Sequence, residues 1–264
     1  APTGNFIDVE ASIPGIPGTG LHTQNAAAEM VTYLALSAGY QKLGVNSDDG
    51  FRLTVGERDA RDAFSLVVGQ YDGAREPADS LFAVAAEAAG FYAFRLVWFQ
   101  SSAGASIEFF SVLSDGTLVL VNDRASTNAV RSFRDLKTGV PTLPYVHSVS
   151  PKPDEVNVSR KPQVSIVIKD QGFLAVAESV QLALNGTIVQ PVVTKASGTT
   201  SINFQPATAL TNSSVNTLSL TYLDTANPPN VVTREWRFTT APVIFPTGQW
   251  DFENGTLAAT FGQD

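Results

Sequence analysis

From Glu29 to Phe238 the apolar residues of this chain fall in short alternating runs, each closed by Gly, Asn, Asp, Ser or Pro. Alternation with a period of two is the mark of a half-buried β-strand, and no run carries a helical period for long. The clearest run is Phe91–Phe99, with Tyr92, Phe94, Leu96 and Trp98 on one face. Its other face is also mostly apolar, which predicts a central strand covered on both sides. Arg95 interrupts that second face and is expected to snorkel or to pair. Such a series predicts an all-β chain.

Further strands are expected over Glu29–Leu36, closed by Ser37-Ala38-Gly39, and over Phe64–Val68. Ala105–Val112 and Thr117–Val121 should pair across Ser114-Asp115-Gly116. Ile7 and Val9 suggest a strand before the Pro- and Gly-rich loop Ile13–Gly18. One short helix is expected at Asn128–Leu136, with Asn128 as N-cap and Val130 and Phe133 facing inward. After Tyr145 the runs recur at the spacing of a β-sandwich: Val164, Ile166 and Ile168; Val180, Leu182 and Leu184 before Asn185-Gly186; Ile202 and Phe204; Leu218, Leu220 and Tyr222; Trp236 and Phe238.

The segment Lys137–Pro144 reads as a linker, so two domains are expected at 1–141 and 145–241. The tail 242–264 should form a hairpin around Asn254-Gly255, as a truncated third domain or as a strand pair offered to another sheet edge. Net charge is −8 with a pI near 4.8, and no Lys/Arg cluster is present, which excludes a nucleic-acid partner. Sixteen of the acidic residues precede Thr142 and nine follow it, so ligand chemistry is expected in the first domain. With no Cys and only two His, disulfides, thiolate chemistry, zinc and a Ser–His–Asp triad are not expected. No apolar stretch has membrane-spanning length, so membrane insertion is not expected. The chain opens at Ala1-Pro2-Thr3-Gly4 without signal-like character; an exported chain would already have lost its signal.

Asp48-Asp49-Gly50 sits between two alternating runs. Adjacent Asp residues before a glycine suit an ordinary solvated turn. They also suit a hard-cation site, since Ca²⁺ takes clustered oxygens.

The first domain resembles the protective-antigen-type β-barrel, a lectin-like domain found in a toxin component, flocculin adhesins and glycosidase inserts. The resemblance is carried by Asn46-Ser47-Asp48-Asp49-Gly50-Phe51-Arg52-Leu53, by Ala89-Gly90-Phe91-Tyr92-Ala93-Phe94-Arg95-Leu96 and by Ser106-Ile107-Glu108-Phe109-Phe110. It covers roughly residues 1–125. Tyr145–Pro151 and Arg234–Phe238 are similar to the ends of an immunoglobulin-like module of large exported bacterial surface proteins. Gly248–Glu253 is similar to the opening strand of a laminin-G-like domain. The fold implied is a protective-antigen-like barrel or sandwich followed by an immunoglobulin-like sandwich.

In sugar-binding members of that family a cis-linked Asp-Asp pair holds Ca²⁺, which contacts sugar hydroxyls. The resemblance therefore implies Asp48 and Asp49 as metal ligands, with calcium as cofactor. The loop carrying Asp72, Arg75 and Asp79 is taken as the second part of the ligand site. The function expected is a non-catalytic carbohydrate-binding or adhesion module, secreted or on the cell surface, whose partner is a glycan or surface polysaccharide. The alternative is a structural subunit or spacer that self-associates through the C-terminal hairpin. No carboxylate pair is marked as a glycosidase couple, so the chain is not expected to be an enzyme, though an accessory region of a larger extracellular one would read alike.

Overall fold

The computed structural model describes residues 25–102, 105–135, 142–243, 248–249 and 261–262. The expected early strand at Ile7–Val9, the loop 13–18, residues 137–141 of the linker and the turn of the tail lie outside them. The chain divides into two compact units, Ala1–Ser148 with Ile168–Leu174, and Val149–Val167 with Ala175–Asp264.

The first unit is built of β1 (Ala26–Leu36), β2 (Gly39–Asp48), β3 (Phe51–Gly56), β4 (Leu66–Tyr71), β5 (Ala78–Ala86), β6 (Gly90–Gln100), β7 (Ser106–Val112), β8 (Leu118–Leu120) and β9 (Arg131–Phe133). One sheet runs β4-β3-β6-β1-β9 and the other β5-β2-β7-β8, and their ladders are antiparallel. Neither sheet closes on itself, so this is a sandwich and not a barrel. Period-two alternation turns Leu34 and Leu36, Leu43 and Val45, Phe51 and Leu53, and Phe94 and Leu96 into one shared core.

Three expectations need correction here. Over the described residues 128–135 of the expected helix Asn128–Leu136 no helix forms: residues 127–128 form a turn and 131–133 become β9, an edge strand beside Tyr33–Ala35 of β1. Side-chain oxygens of Asp123 and Ser126 accept the N–H groups of Ala125 and Asn128, and such local bonds compete with helix formation. β6 is central in its sheet, but the face carrying Phe94, Leu96 and Trp98 is the buried one; on the other, Ala93 is buried while Phe91 is 55% exposed and Phe99 also exposed. The run at Phe64 begins later than expected, because the Asp62 carboxylate accepts the Phe64 N–H and holds that residue in a turn before β4.

The β7–β8 hairpin turns at Ser114–Gly116 as expected, with Gly116 at φ +88° and the Leu113 N–H donating to the Thr117 carbonyl. Arg95 is paired. Its Nε donates to Glu29 Oε1 at 2.6 Å, and Arg61 Nη2 donates to Oε2 at 3.2 Å. These bonds, Arg61 first, hold the Glu29 carboxyl below the usual range against a small opposing effect of burial. A depressed folded value stabilises the fold above the unfolded carboxyl's titration and loses that contribution as pH falls through the folded value. All three side chains are more than a third exposed, so Glu29→Gln should cost no more than about 1 kcal/mol at neutral pH. Urea unfolding at neutral and acid pH checks this: the difference should vanish on the acid side.

The second β unit, with the strands that straddle the division, comprises β10 (Tyr145–Ser150), β11 (Glu155–Val158), β12 (Val164–Lys169), β13 (Gln181–Leu184), β14 (Thr187–Val189), β15 (Val192–Ala196), β16 (Thr199–Phe204), β17 (Val215–Leu223) and β18 (Val231–Thr240). Its sheets run β10-β12-β16-β15 and β11-β18-β17-β13-β14. β11 lies parallel to β18, with Glu155 opposite Phe238. Val164, Ile166, Leu182, Leu218, Leu220, Tyr222 and Phe238 are buried, as their alternation requires. Asn185 (φ 51°) and Gly186 (φ 78°) make the two-residue hairpin turn between β13 and β14; both need the left-handed region that Asn and Gly tolerate. In the tail, β19 (Gly248–Gln249) pairs antiparallel with β20 (Phe261–Gly262). Among the described residues no helix is long and apolar enough to cross a membrane.

Candidate ligand-binding site

β2 and β3 follow each other in sequence but belong to different sheets, so Asp48-Asp49-Gly50 is a crossover between layers. That placement buries it. Asp48 is 5% and Asp49 3% exposed, and Ser47 is fully buried, so the solvated-turn reading is corrected. The Asp48–Asp49 peptide is cis.

A buried crossover must satisfy its backbone groups locally. Trp98 Nε1 donates to the Asp48 carbonyl at 2.7 Å, and Ser47 Oγ donates to the Asp49 carbonyl at 2.7 Å. The Asp49 N–H donates to Gln100 Oε1 at 3.1 Å, and the Phe99 N–H to the Gly50 carbonyl at 3.0 Å. Gly50 is required for space: a Cβ there would meet the Phe99 ring and come within 3.0 Å of the Tyr71 carbonyl.

The Asp49 carboxylate ties three segments together. Its Oδ2 accepts the Ser101 N–H at 2.7 Å and the Ser101 hydroxyl at 2.6 Å, and its Oδ1 accepts the Arg75 N–H at 2.9 Å. Burial pushes this carboxyl up, but the donors from Ser101 and Arg75 together outweigh it and leave it below the usual range. Three of the roughly four lone-pair positions of the carboxylate are thereby filled.

Arg75 packs its guanidinium over the Tyr71 ring, 4.2 Å from the centroid, with Phe51 at 5.7 Å. Its Nε and Nη2 donate to the carbonyl and hydroxyl of Ser47, and Nη1 donates to Ser80 Oγ. Burial lowers its proton affinity, opposed by the charges of Tyr71 and Asp79, and an arginine keeps its proton throughout. Asp79 lies exposed on β5 and accepts Asn46 Nδ2 at 2.7 Å. Asn46 is 5% exposed, and its other amide atom, Oδ1, is buried without a hydrogen-bond partner.

The structure thus gathers Asp48, Asp49, Arg75 and Asp79 around the end of β2. Asp72 is exposed on the loop after β4, and no hydrogen bond ties it to Asp49, Arg75 or Asp79. Sequence reasoning missed Ser101, Gln100, Asn46 and Ser80 as site residues. Gln100-Ser101 directly after an aromatic strand was the available signal, because a buried amide there must have a partner. Among the described residues, no group of three or more His, Cys, Asp or Glu side chains is placed to share a metal ion.

No family model and no curated protein matches this chain. Among solved structures it is similar to CopC from Methylosinus trichosporium OB3b, at 11% identity and TM-score 0.28 over 39% of this chain and 98% of that one. It is similar to an anti-sigma factor domain-containing protein, at 10% identity and TM-score 0.36 over 86% and 88%. A third likeness is to dimeric latent PorU from Porphyromonas gingivalis, at 16% identity and TM-score 0.30 over 83% of this chain and 22% of that one. Scores this low leave the ligand open, and the β-sandwich assignment rests on the strand pairing itself.

Proposed function

We propose that this chain is a non-catalytic carbohydrate-binding region of an exported bacterial protein, in which a protective-antigen-type unit carries the ligand and an immunoglobulin-like unit serves as spacer. The observation that carries the proposal is the unpartnered Asn46 Oδ1, buried beside Asp79 at the strand end that leads into the acidic crossover. A buried acceptor without a donor is costly, and a ligand that supplies a hydroxyl or a cation relieves it. Arg75 and Asp79 add a charged donor and acceptor at the same strand end, the group types that bind sugar hydroxyls.

Calcium is the proposed ion. Asp48, the remaining lone pair of Asp49 Oδ1 and Asn46 Oδ1 are the protein oxygens that would hold it. Ca²⁺ takes six to eight oxygens, so water and sugar hydroxyls would complete the shell. The ion would supply charge for hydroxyl binding, while Ser101 and Arg75 hold Asp49 in place.

A glycan array probed with the full chain, with calcium and with chelator, tests both parts. Saturable binding that disappears with chelator is the expected result. Calcium at one hundred times its dissociation constant should add about 2.7 kcal/mol to the stability of the first unit. Binding that persists in chelator, with an unmoved melting curve, removes the ion and leaves the glycan. An array with no signal in either condition removes the carbohydrate reading.

A further inference from the structure

We propose a second binding site in the first unit, a pocket for a small neutral aromatic molecule at the end of the sandwich opposite the acidic crossover. β3 leaves the crossover at Phe51 and reaches this cavity at Val55 and Gly56, so the two sites sit at opposite ends of one strand. The cavity measures about 280 Å³; Leu36, Val55, Leu66, Val84 and Tyr92 make up most of its lining, and Glu57 is the one charged residue on it among the described residues.

The gap has a cause in the sequence. Facing sheets pack about 10 Å apart, and the space between them is normally filled by large side chains. Here Ala86 stands on the lining where a larger residue would reach into the space; at Gly56 the backbone of Asp59 already fills the place of a side chain.

Size and chemistry define the ligand class. An apolar cavity of about 150 Å³ accepts benzene. This one is nearly twice that volume and suits two fused rings. Tyr92 offers a ring contact, and the aliphatic walls with the Glu57 carboxylate beside them disfavour an anion. The Tyr92 hydroxyl donates to the Ala88 carbonyl at 2.6 Å, which leaves its oxygen as an acceptor for one ligand hydroxyl. Leu66 is 66% exposed although it belongs to the lining, so it stands at the mouth, where a ligand would cover it.

Calorimetric titration of the full chain with 2-naphthol tests the proposal. Saturable one-to-one binding with a negative heat-capacity change is expected, the mark of apolar burial. Ala86→Leu fills the cavity and should abolish binding. Leu66→Glu places a charge at the mouth and should weaken binding at least tenfold; this side chain is exposed, so the variant folds and decides the matter even if Ala86→Leu does not. No saturable heat with the unaltered chain, or unchanged affinity in Leu66→Glu, overturns the pocket. Neither variant touches Asn46, Asp49, Arg75 or Asp79, so the glycan array remains an independent reading of the other site.

Discussion

Asp49→Ala lowers the stability of the first unit by about 4 kcal/mol, because it strips three donors of a shared buried acceptor. Those donors are the N–H and hydroxyl of Ser101 and the N–H of Arg75. Asp49→Asn keeps the shape but turns one carboxylate oxygen into a donor, which then faces another donor. It should cost about 2–3 kcal/mol. The sign of the pH dependence follows from the depressed carboxyl. Its contribution is complete above the unfolded aspartate's titration near 3.9 and is lost as pH falls through the lower folded value. Urea unfolding should therefore show a wide gap between the unaltered chain and Asp49→Asn at neutral pH, narrowing in acid. A gap that stays constant with pH would mean that the carboxylate's charge contributes nothing to the crossover.

Trp98→Ala is the second large effect. Trp98 is 2% exposed, lies on the core face of β6 and donates to the Asp48 carbonyl. Truncation removes a large ring and leaves a cavity, at about 3–5 kcal/mol. Trp98→Phe keeps most of the ring and orphans only the carbonyl, at about 1–3 kcal/mol. The double variant Trp98→Phe, Asp49→Asn should cost less than the sum of its parts, since both lesions loosen the same crossover. Strict additivity in chemical denaturation would show that the indole and the carboxylate act separately.

What could be read from the sequence followed from local chemistry. Val164, Ile166 and Ile168 announce a strand because only alternation buries all three, and Asn185-Gly186 announces its turn because the turn needs positive φ. Val130 and Phe133 misled because a three-residue spacing fits one helical turn as well as a strand end. Val130 does pack against the core, but the strand that Phe133 joins is set by pairing with Tyr33–Ala35, about a hundred residues away, which no local pattern encodes. The outer face of β6 misled for a related reason: aromatic residues such as Phe91 do not reveal whether a further layer covers them. At the site, the acidic and basic residues were visible as types. Their partners were not, because Ser101 and Gln100 meet Asp49 through strand registers fifty residues apart.

The parallel pairing of β11 with β18 carries a consequence for how the second unit is made. Its partners Glu155 and Phe238 stand roughly eighty residues apart in the chain. A parallel neighbour cannot be reached by a hairpin. On the ribosome, then, β11 emerges early and must wait, its backbone unpaired on that side, until almost the whole unit has been synthesised. The local hairpins β13–β14, β15–β16 and β17–β18 can form in passing. The parallel ladder closes last, and loop-closure entropy makes that step the slow one. Chains interrupted before Val231 would carry an open strand edge ready to pair with a neighbour, so translational stalling there exposes this unit to aggregation.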